Sequence, residues 1–246
     1  MKKIITLGLL FCAFASSAFA IETAEKMRIG VDVDWAWTAM DQVNELLNEG
    51  ENVNSLHSGF AGLLNFDIVM APFLTLGART GIVLSQPASA VYNYLVYNQT
   101  TTINTSIIPL EAGVSAFFEL PTTPISIKAG IYGGYGFAFA SFKNDIAVLG
   151  QTATYTQPYR GGCFVGELLA TVNLKLSSAL SLNVNSGYRL AKVLRMEQSE
   201  NVAYNGISGV EIPVGDKGDI LKDTDNKNLV IDFSGFNIGV GFSVGF

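Results

Sequence analysis

Charge is scarce in this chain. Of its 246 residues only 15% are Asp, Glu, Lys or Arg, where an ordinary soluble domain carries roughly 25%. Long hydrophobic runs are missing too: beyond residue 20, Asp, Asn, Glu, Lys or Gly interrupts every apolar stretch before it reaches helix-spanning length, which excludes transmembrane helices. There is a single His, and the sequence has no H-E-x-x-H or Gly-Lys phosphate loop, so the common zinc-protease and nucleotide signatures are excluded. What is abundant is apolar: 49% hydrophobic residues, 16 Phe, 9 Tyr, 2 Trp and 25 Gly. That much buriable surface excludes disorder, and with no long runs the hydrophobicity has to be dispersed at a short period.

Lys2 and Lys3 precede the apolar run Ile4 to Phe14 and the small-residue stretch Ser16-Ser17-Ala18-Phe19-Ala20. This order reads as a secretory signal peptide with cleavage after Ala20. Phe11 before Cys12 is too bulky for a lipidation site. Without residues 1–20, Lys2 and Lys3 are lost, leaving 13 of the 15 basic residues against 21 acidic ones, a net charge of −8. So acidic a chain is not expected to bind nucleic acid. Only Cys163 survives cleavage, so no intramolecular disulfide is expected although the compartment is oxidising.

The last segment sets the pattern. Phe236, Ile238, Val240, Phe242, Val244 and Phe246 alternate with Gly235, Asn237, Gly239, Gly241, Ser243 and Gly245, a period of two that puts large apolar residues on one face of a strand. The alternation predicts seven further strands, near 27–37, 59–70, 74–84, 106–120, 125–142, 159–176 and 180–195, with the last near 231–246. In the first, Ile29, Val31, Val33, Trp35 and Trp37 face out while Arg28, Asp32 and Asp34 face in. Connections alternate in length. Ala71-Pro72-Phe73, Pro121 to Pro124 and Ser177-Ser178-Ala179 are tight turns, whereas 38–58, 85–105, 143–158 and 196–230 read as long polar loops. Short turns at one end and long loops at the other predict an all-β, eight-stranded, antiparallel up-and-down transmembrane barrel, with the short end periplasmic. In lipid every backbone polar group needs a partner within the protein, so the sheet has to close. Residues 21–246 are expected to form this one domain.

The pattern over 27–246, with the terminal Gly241-Phe242-Ser243-Val244-Gly245-Phe246, resembles the small eight-stranded outer-membrane proteins, the OmpA transmembrane domain, OmpX and OmpW among them. The resemblance implies the outer membrane of a diderm bacterium. It also implies an assembly signal at Phe242, Val244 and Phe246, read by the barrel-assembly machinery, and for an OmpW-like chain a narrow conduit for small or hydrophobic solutes.

An eight-stranded barrel is just wide enough for its own side chains, and a buried ion costs several kcal/mol unless paired. Register counted from the tight turns places Glu167 opposite Arg189, Arg79 diagonal to Asp67, and Lys128 diagonal to Glu119, all with inward parity. These six predict a salt-bridged plug or, alternatively, a proton or solute pathway. The bare inward faces at Gly130, Gly134, Gly136, Ala138 and Ala140 leave room for the second reading, with space beside Tyr132 and Phe117.

His57, the single His, lies between Ser55 and Ser58 near the outer rim and offers an imidazole general base, a remote hydrolase reading. Asp216, Asp219, Asp223 and Asp225 crowd the fourth loop, but Lys227 stands where a calcium loop needs a ligand, so neither metal nor cofactor is expected. Asp41 to Glu49 carries Val43, Leu46 and Leu47 at helical spacing, a short surface helix. Lys143, Arg160, Lys192 and Arg195, at the outer ends of three adjacent strands, predict a contact with lipopolysaccharide phosphates at one height. The expected function is that of a non-enzymatic barrel with a structural or surface-interaction role and an external partner of unknown nature; the rival is the conduit.

Overall fold

The computed structural model describes residues 27–48, 50–95, 97–202, 215–223 and 225–246. The signal-peptide reading of residues 1–20, Glu49 of the predicted helix and part of the fourth loop lie outside them. Eight strands form a closed antiparallel ring: β1 (Met27–Trp37), β3 (Ser58–Ala71), β4 (Leu74–Ser85), β6 (Tyr97–Glu119), β7 (Ile125–Val148), β8 (Gln151–Lys175), β9 (Leu180–Val193) and β12 (Gly235–Gly245). Pairing of β12 with both β9 and β1 completes the circle. Lesser elements fill the connections: α1 (Asp41–Leu47), β2 (Glu51–Asn54), β5 (Ala88–Asn93), β10 (Met196–Gln198) and β11 (Ile231–Asp232).

Period-two patterning decides which side each residue takes. On β1, Val31 and Val33 are exposed while Asp32 and Asp34 are buried, the reverse of a soluble sheet. Around the ring Phe60, Leu64, Leu110, Ile131, Phe137, Leu168, Val240 and Phe242 all stand exposed. So wide an apolar exterior on a closed sheet belongs in lipid, because in water it would be an aggregation surface. The fold is that of a transmembrane β-barrel.

Three strands run well past the expected boundaries. β6, β7 and β8 are 23, 24 and 25 residues long, where about 9–11 residues cross a membrane. The segments 85–105 and 143–158 are therefore largely strand rather than loop. Alternating Thr, Asn and Gln residues continue the ladder with a polar exterior, and Leu149 and Gly150, both at positive φ (46° and 82°), close β7 on β8 with a two-residue turn. Together with β5 and β2 these extensions make a sheet that projects from the outer end. The eighth strand begins at Gly235 rather than 231. The chain breaks step at Phe233-Ser234, where Ser234 Oγ accepts the Ala191 N–H at 2.9 Å and Phe233 turns inward.

The predicted surface helix is present as α1, with Asp41, Gln42 and Glu45 exposed. Val43 and Leu47 of α1 are fully buried, because the helix lies across the barrel mouth with its apolar face down. Asn44 clamps it: its Nδ2 donates to Leu56 O at 2.8 Å and its Oδ1 accepts from Leu56 N at 2.7 Å. Val230 N donates to Gln42 Oε1 at 2.8 Å, which ties the helix to the fourth loop. Met40, Leu56, Leu229, Ile231 and Phe233 join the barrel's own Leu63, Val83, Ile107, Val165 and Val193 in one apolar cluster.

Candidate functional site

The charged middle of the lumen is the chemically distinctive region of the barrel, and its centre is Glu167. The register is the one the turns predict: Glu167 pairs with Arg189 on β9, and Asn65 pairs with Arg79 between β3 and β4. Arg189 Nη2 donates to Glu167 Oε2 at 3.1 Å, and Asn237 Nδ2 donates to Oε1 at 2.7 Å. The other two predicted pairs differ. Arg79 does not turn to Asp67; it crosses the lumen to Glu167 (2.9 Å) while its Nε donates to Asn65 Oδ1 (2.7 Å). Asp67 is taken instead by Lys128, at 2.6 Å. Glu119, expected near Lys128, pairs with Lys175 at the periplasmic rim, at 3.0 Å. Both corrections have one cause: the lumen is narrow enough for long side chains to span it, so a partner on a distant strand competes with a diagonal neighbour.

Three further acids share this layer. Asp32 and Asp34 were legible as inward-facing, and Glu111 lies on the same parity as Phe117 and Glu119. Glu111 sits directly opposite Arg79 in the β4–β6 ladder. Asp32 Oδ2 accepts from Asn65 Nδ2 at 2.5 Å. Neither carboxylate oxygen of Asp34 or of Glu111 has a hydrogen-bond partner among the described residues, although the two side chains are fully or almost fully buried.

The space expected over the glycines is filled. Tyr132 lies across Gly77, Gly113 and Gly130, so that a methyl group on any of them would meet its ring. The same ring takes the Arg79 guanidinium at 5.5 Å and the Lys128 ammonium at 5.9 Å from its centroid. Ile107 and Val165 fill the room above Gly136, and the Asp34 and Asp32 carboxylates lie against Gly239 and Gly241. At the other predicted gap, Arg28 stacks on Phe117 at 4.2 Å. A polar cavity of about 20 Å³ beside Asp32, Asn65, Asp67, Lys128 and Asn185 has room for about one water.

The rim cations all face outward but are not equivalent. Lys143 pairs with Asp145 at 2.8 Å, Lys192 with Asp232 at 3.1 Å and Arg195 with Glu197 at 2.8 Å. Arg160 has no ion pair or side-chain hydrogen bond among the described residues. The register also corrects the single height: Arg160 is level with Phe139, four positions below Lys143 on β7. His57 is exposed, and its imidazole bonds no described side chain; only its carbonyl is engaged, accepting from Thr38 N at 3.1 Å. In the acidic loop Asp219 Oδ2 accepts from Asp216 N and Asp223 Oδ1 from Lys227 N, each at 2.8 Å, while Lys227 Nζ takes Asp225 at 3.0 Å. No group of three acidic, His or Cys side chains able to hold a metal occurs among the described residues. At the C-terminus Phe242, Val244 and Phe246 face outward, and Phe246 exchanges backbone hydrogen bonds with Met27.

No family model matches the chain, and no curated protein matches it in sequence. Solved structures of small outer-membrane β-barrel proteins resemble it. OprG of Pseudomonas aeruginosa matches 92% of this chain and 97% of its own, at 12% identity and a TM-score of 0.44. A major outer membrane protein of Thermus thermophilus matches 89% and 99%, at 13% identity and 0.42. Neisserial surface protein A matches 89% and 97%, at 9% identity and 0.38. The likeness is one of fold.

Proposed function

We propose that the mature protein, residues 21–246 after removal of the signal peptide, is a non-enzymatic outer-membrane barrel closed to solutes. Its work is done outside the membrane by the projecting sheet, in contact with a partner at the cell surface. One observation carries this reading: the barrel mouth is filled by a continuous apolar cluster that α1, Leu229, Ile231 and Phe233 build onto the inward faces of the strands. A conduit needs a wetted path, and fully buried Val83, Ile107 and Val193 offer water no partner. Below that cluster the lumen is a tightly filled, ion-paired polar layer rather than a duct. The strands meanwhile extend outward at the cost of ordering many residues that the membrane does not require, and a projecting platform is what they make. Phe246, Val244 and Phe242 serve assembly, as the signal for the barrel-assembly machinery.

The test is single-channel recording of the refolded protein in planar bilayers, beside a protein-free control. The closed barrel gives no reproducible unitary steps. A steady conductance that depends on protein and survives purification to a single heat-modifiable band overturns the reading and favours the conduit.

A further inference from the structure

On three adjacent strands the exterior changes character at the same hydrogen-bonded row. On β7 it passes from Phe137 and Phe139 to Ser141, Lys143 and Asp145; on β6 from Ile108 to Ser106 and Asn104; on β8 from Phe164 to Arg160 and Pro158. The paired residues Leu84, Ser106, Phe139 and Arg160 form that row, and Asn104, Ser141 and Pro158 the next one outward. This is where the lipid hydrocarbon ends and the headgroups begin. Large side chains flank small ones here, so the surface is concave: a groove of about 610 Å³ opens outward between Leu84, Phe139, Ser141, Arg160 and Ser199. Its lower wall is apolar, since Leu84 and Phe139 are 47% and 45% exposed. Its upper wall is hydroxyl and amide, from Ser106, Ser141 and Asn104. Ser199 is locked against the end, with its N–H and hydroxyl both donating to Pro158 O at 2.9 and 3.3 Å.

Charge singles out one kind of occupant. Each other cation of the rim is offset by its own carboxylate, Lys143 by Asp145, Lys192 by Asp232 and Arg195 by Glu197. Glu197, which is cross-strand to Arg160, is held by Arg195. Arg160 therefore leaves the groove with one uncommitted positive charge, presented as a planar fork that suits a phosphate. An apolar floor, a hydroxyl-rich wall and a guanidinium at the boundary match an amphiphile with acyl chains, a sugar backbone and a phosphate.

We propose that this groove binds a phosphorylated glycolipid of the outer leaflet. Its phosphate lies on Arg160, its sugar hydroxyls on Ser106, Ser141 and Asn104, and an acyl chain against Leu84 and Phe139. The proposal rests on the outer-membrane placement but not on the closed lumen, and the bilayer recordings are made without glycolipid, so either can fail alone.

The test uses the folded protein in phospholipid nanodiscs, titrated with a phosphorylated glucosamine-based glycolipid, its dephosphorylated form and inorganic phosphate. The phosphorylated form binds, weakening with salt. Removing its phosphate or making Arg160→Gln costs about tenfold or more, the order of a charge-assisted hydrogen bond. Arg160→Lys recovers part of the loss, and Lys192→Gln changes binding less than twofold. Ser141→Trp fills the groove without altering charge and abolishes binding; heat-modifiable migration verifies that each variant is folded. Equal binding of the dephosphorylated lipid, an Arg160→Gln variant that binds like the wild type, losses as large in Lys192→Gln, or displacement by inorganic phosphate alone each overturns the proposal.

Discussion

Each of four strands of the ring carries two different interiors only a few residues apart. β4 has Arg79 and then Val83, β6 has Glu111 and then Ile107, β8 has Glu167 and then Val165, and β9 has Arg189 and then Val193. All eight are buried and all point into the same barrel. The outer four pack against α1 and the fourth loop, with no polar atom to satisfy. In the inner four, Glu167 draws Arg189 from the adjacent strand and Arg79 from across the lumen. The difference is in what each layer can do. An apolar layer excludes water by non-directional packing and tolerates substitutions that keep volume. A charged layer contributes little net stability after desolvation, yet it heavily penalises loss of any one member.

The sharpest way to break that contrast is Glu167→Ala. It strands two buried guanidiniums, Arg79 and Arg189, and leaves Asn237 Nδ2 without its acceptor. Removing one partner of a buried pair costs about 3–5 kcal/mol, and here two pairs share the partner. Equilibrium urea unfolding in micelles should show at least that loss. In a double-mutant cycle Glu167→Ala with Arg189→Ala should fall short of the sum of the singles. Strict additivity would mean that the two side chains do not interact.

The second perturbation acts on the other layer. Leu47→Ala removes a fully buried side chain from the underside of α1, for which core truncations cost roughly 2–5 kcal/mol. Because α1 lies over the mouth rather than in the ring, the loss should appear locally. Amide exchange should accelerate in α1 and around Leu56 and Ile231, with little change in β1, β3 or β12. A uniform rise across the ring would mean that the apolar layer and the barrel unfold as one unit.

The contrast also explains what the sequence made legible. Strand count, inward parity and ring order follow from a period of two, and the register near each tight turn follows from counting, so Glu167 opposite Arg189 was within reach. Arg79 with Glu167 and Lys128 with Asp67 were not, because counting relates only adjacent strands and these pairs span the lumen. The apolar layer was missed for a different reason. Val43 and Leu47 show helical spacing, but a short amphipathic helix carries no sign of which surface it covers. Ile231 and Phe233 alternate like a strand and fall within the expected last one, while Leu229 falls in the loop before it. The strand extensions escaped because Thr, Asn and Gln on a projecting sheet look in composition like a polar loop.

The smallest expected effect lies farthest from both layers, in the projecting sheet, and it tests whether charge there behaves as it does in the lumen. Asp145 is exposed. Its carboxyl is held below the ordinary carboxylate range by hydrogen bonds, first from Lys143 and then from Thr154. A group whose folded value is lowered adds stability above its unfolded value, about pH 3.9 for Asp, and loses that contribution as the pH falls through the folded value. The row Thr100, Asp145 and Thr154 should therefore loosen only in acid, read as faster local amide exchange, with no shift of the global unfolding midpoint, since exposed ion pairs contribute little. Asp145→Asn should show the looser exchange at neutral pH and no further acid response. If acid instead loosens that row equally in the variant, the effect does not arise at Asp145, and the sheet's charges are as dispensable as their exposure implies.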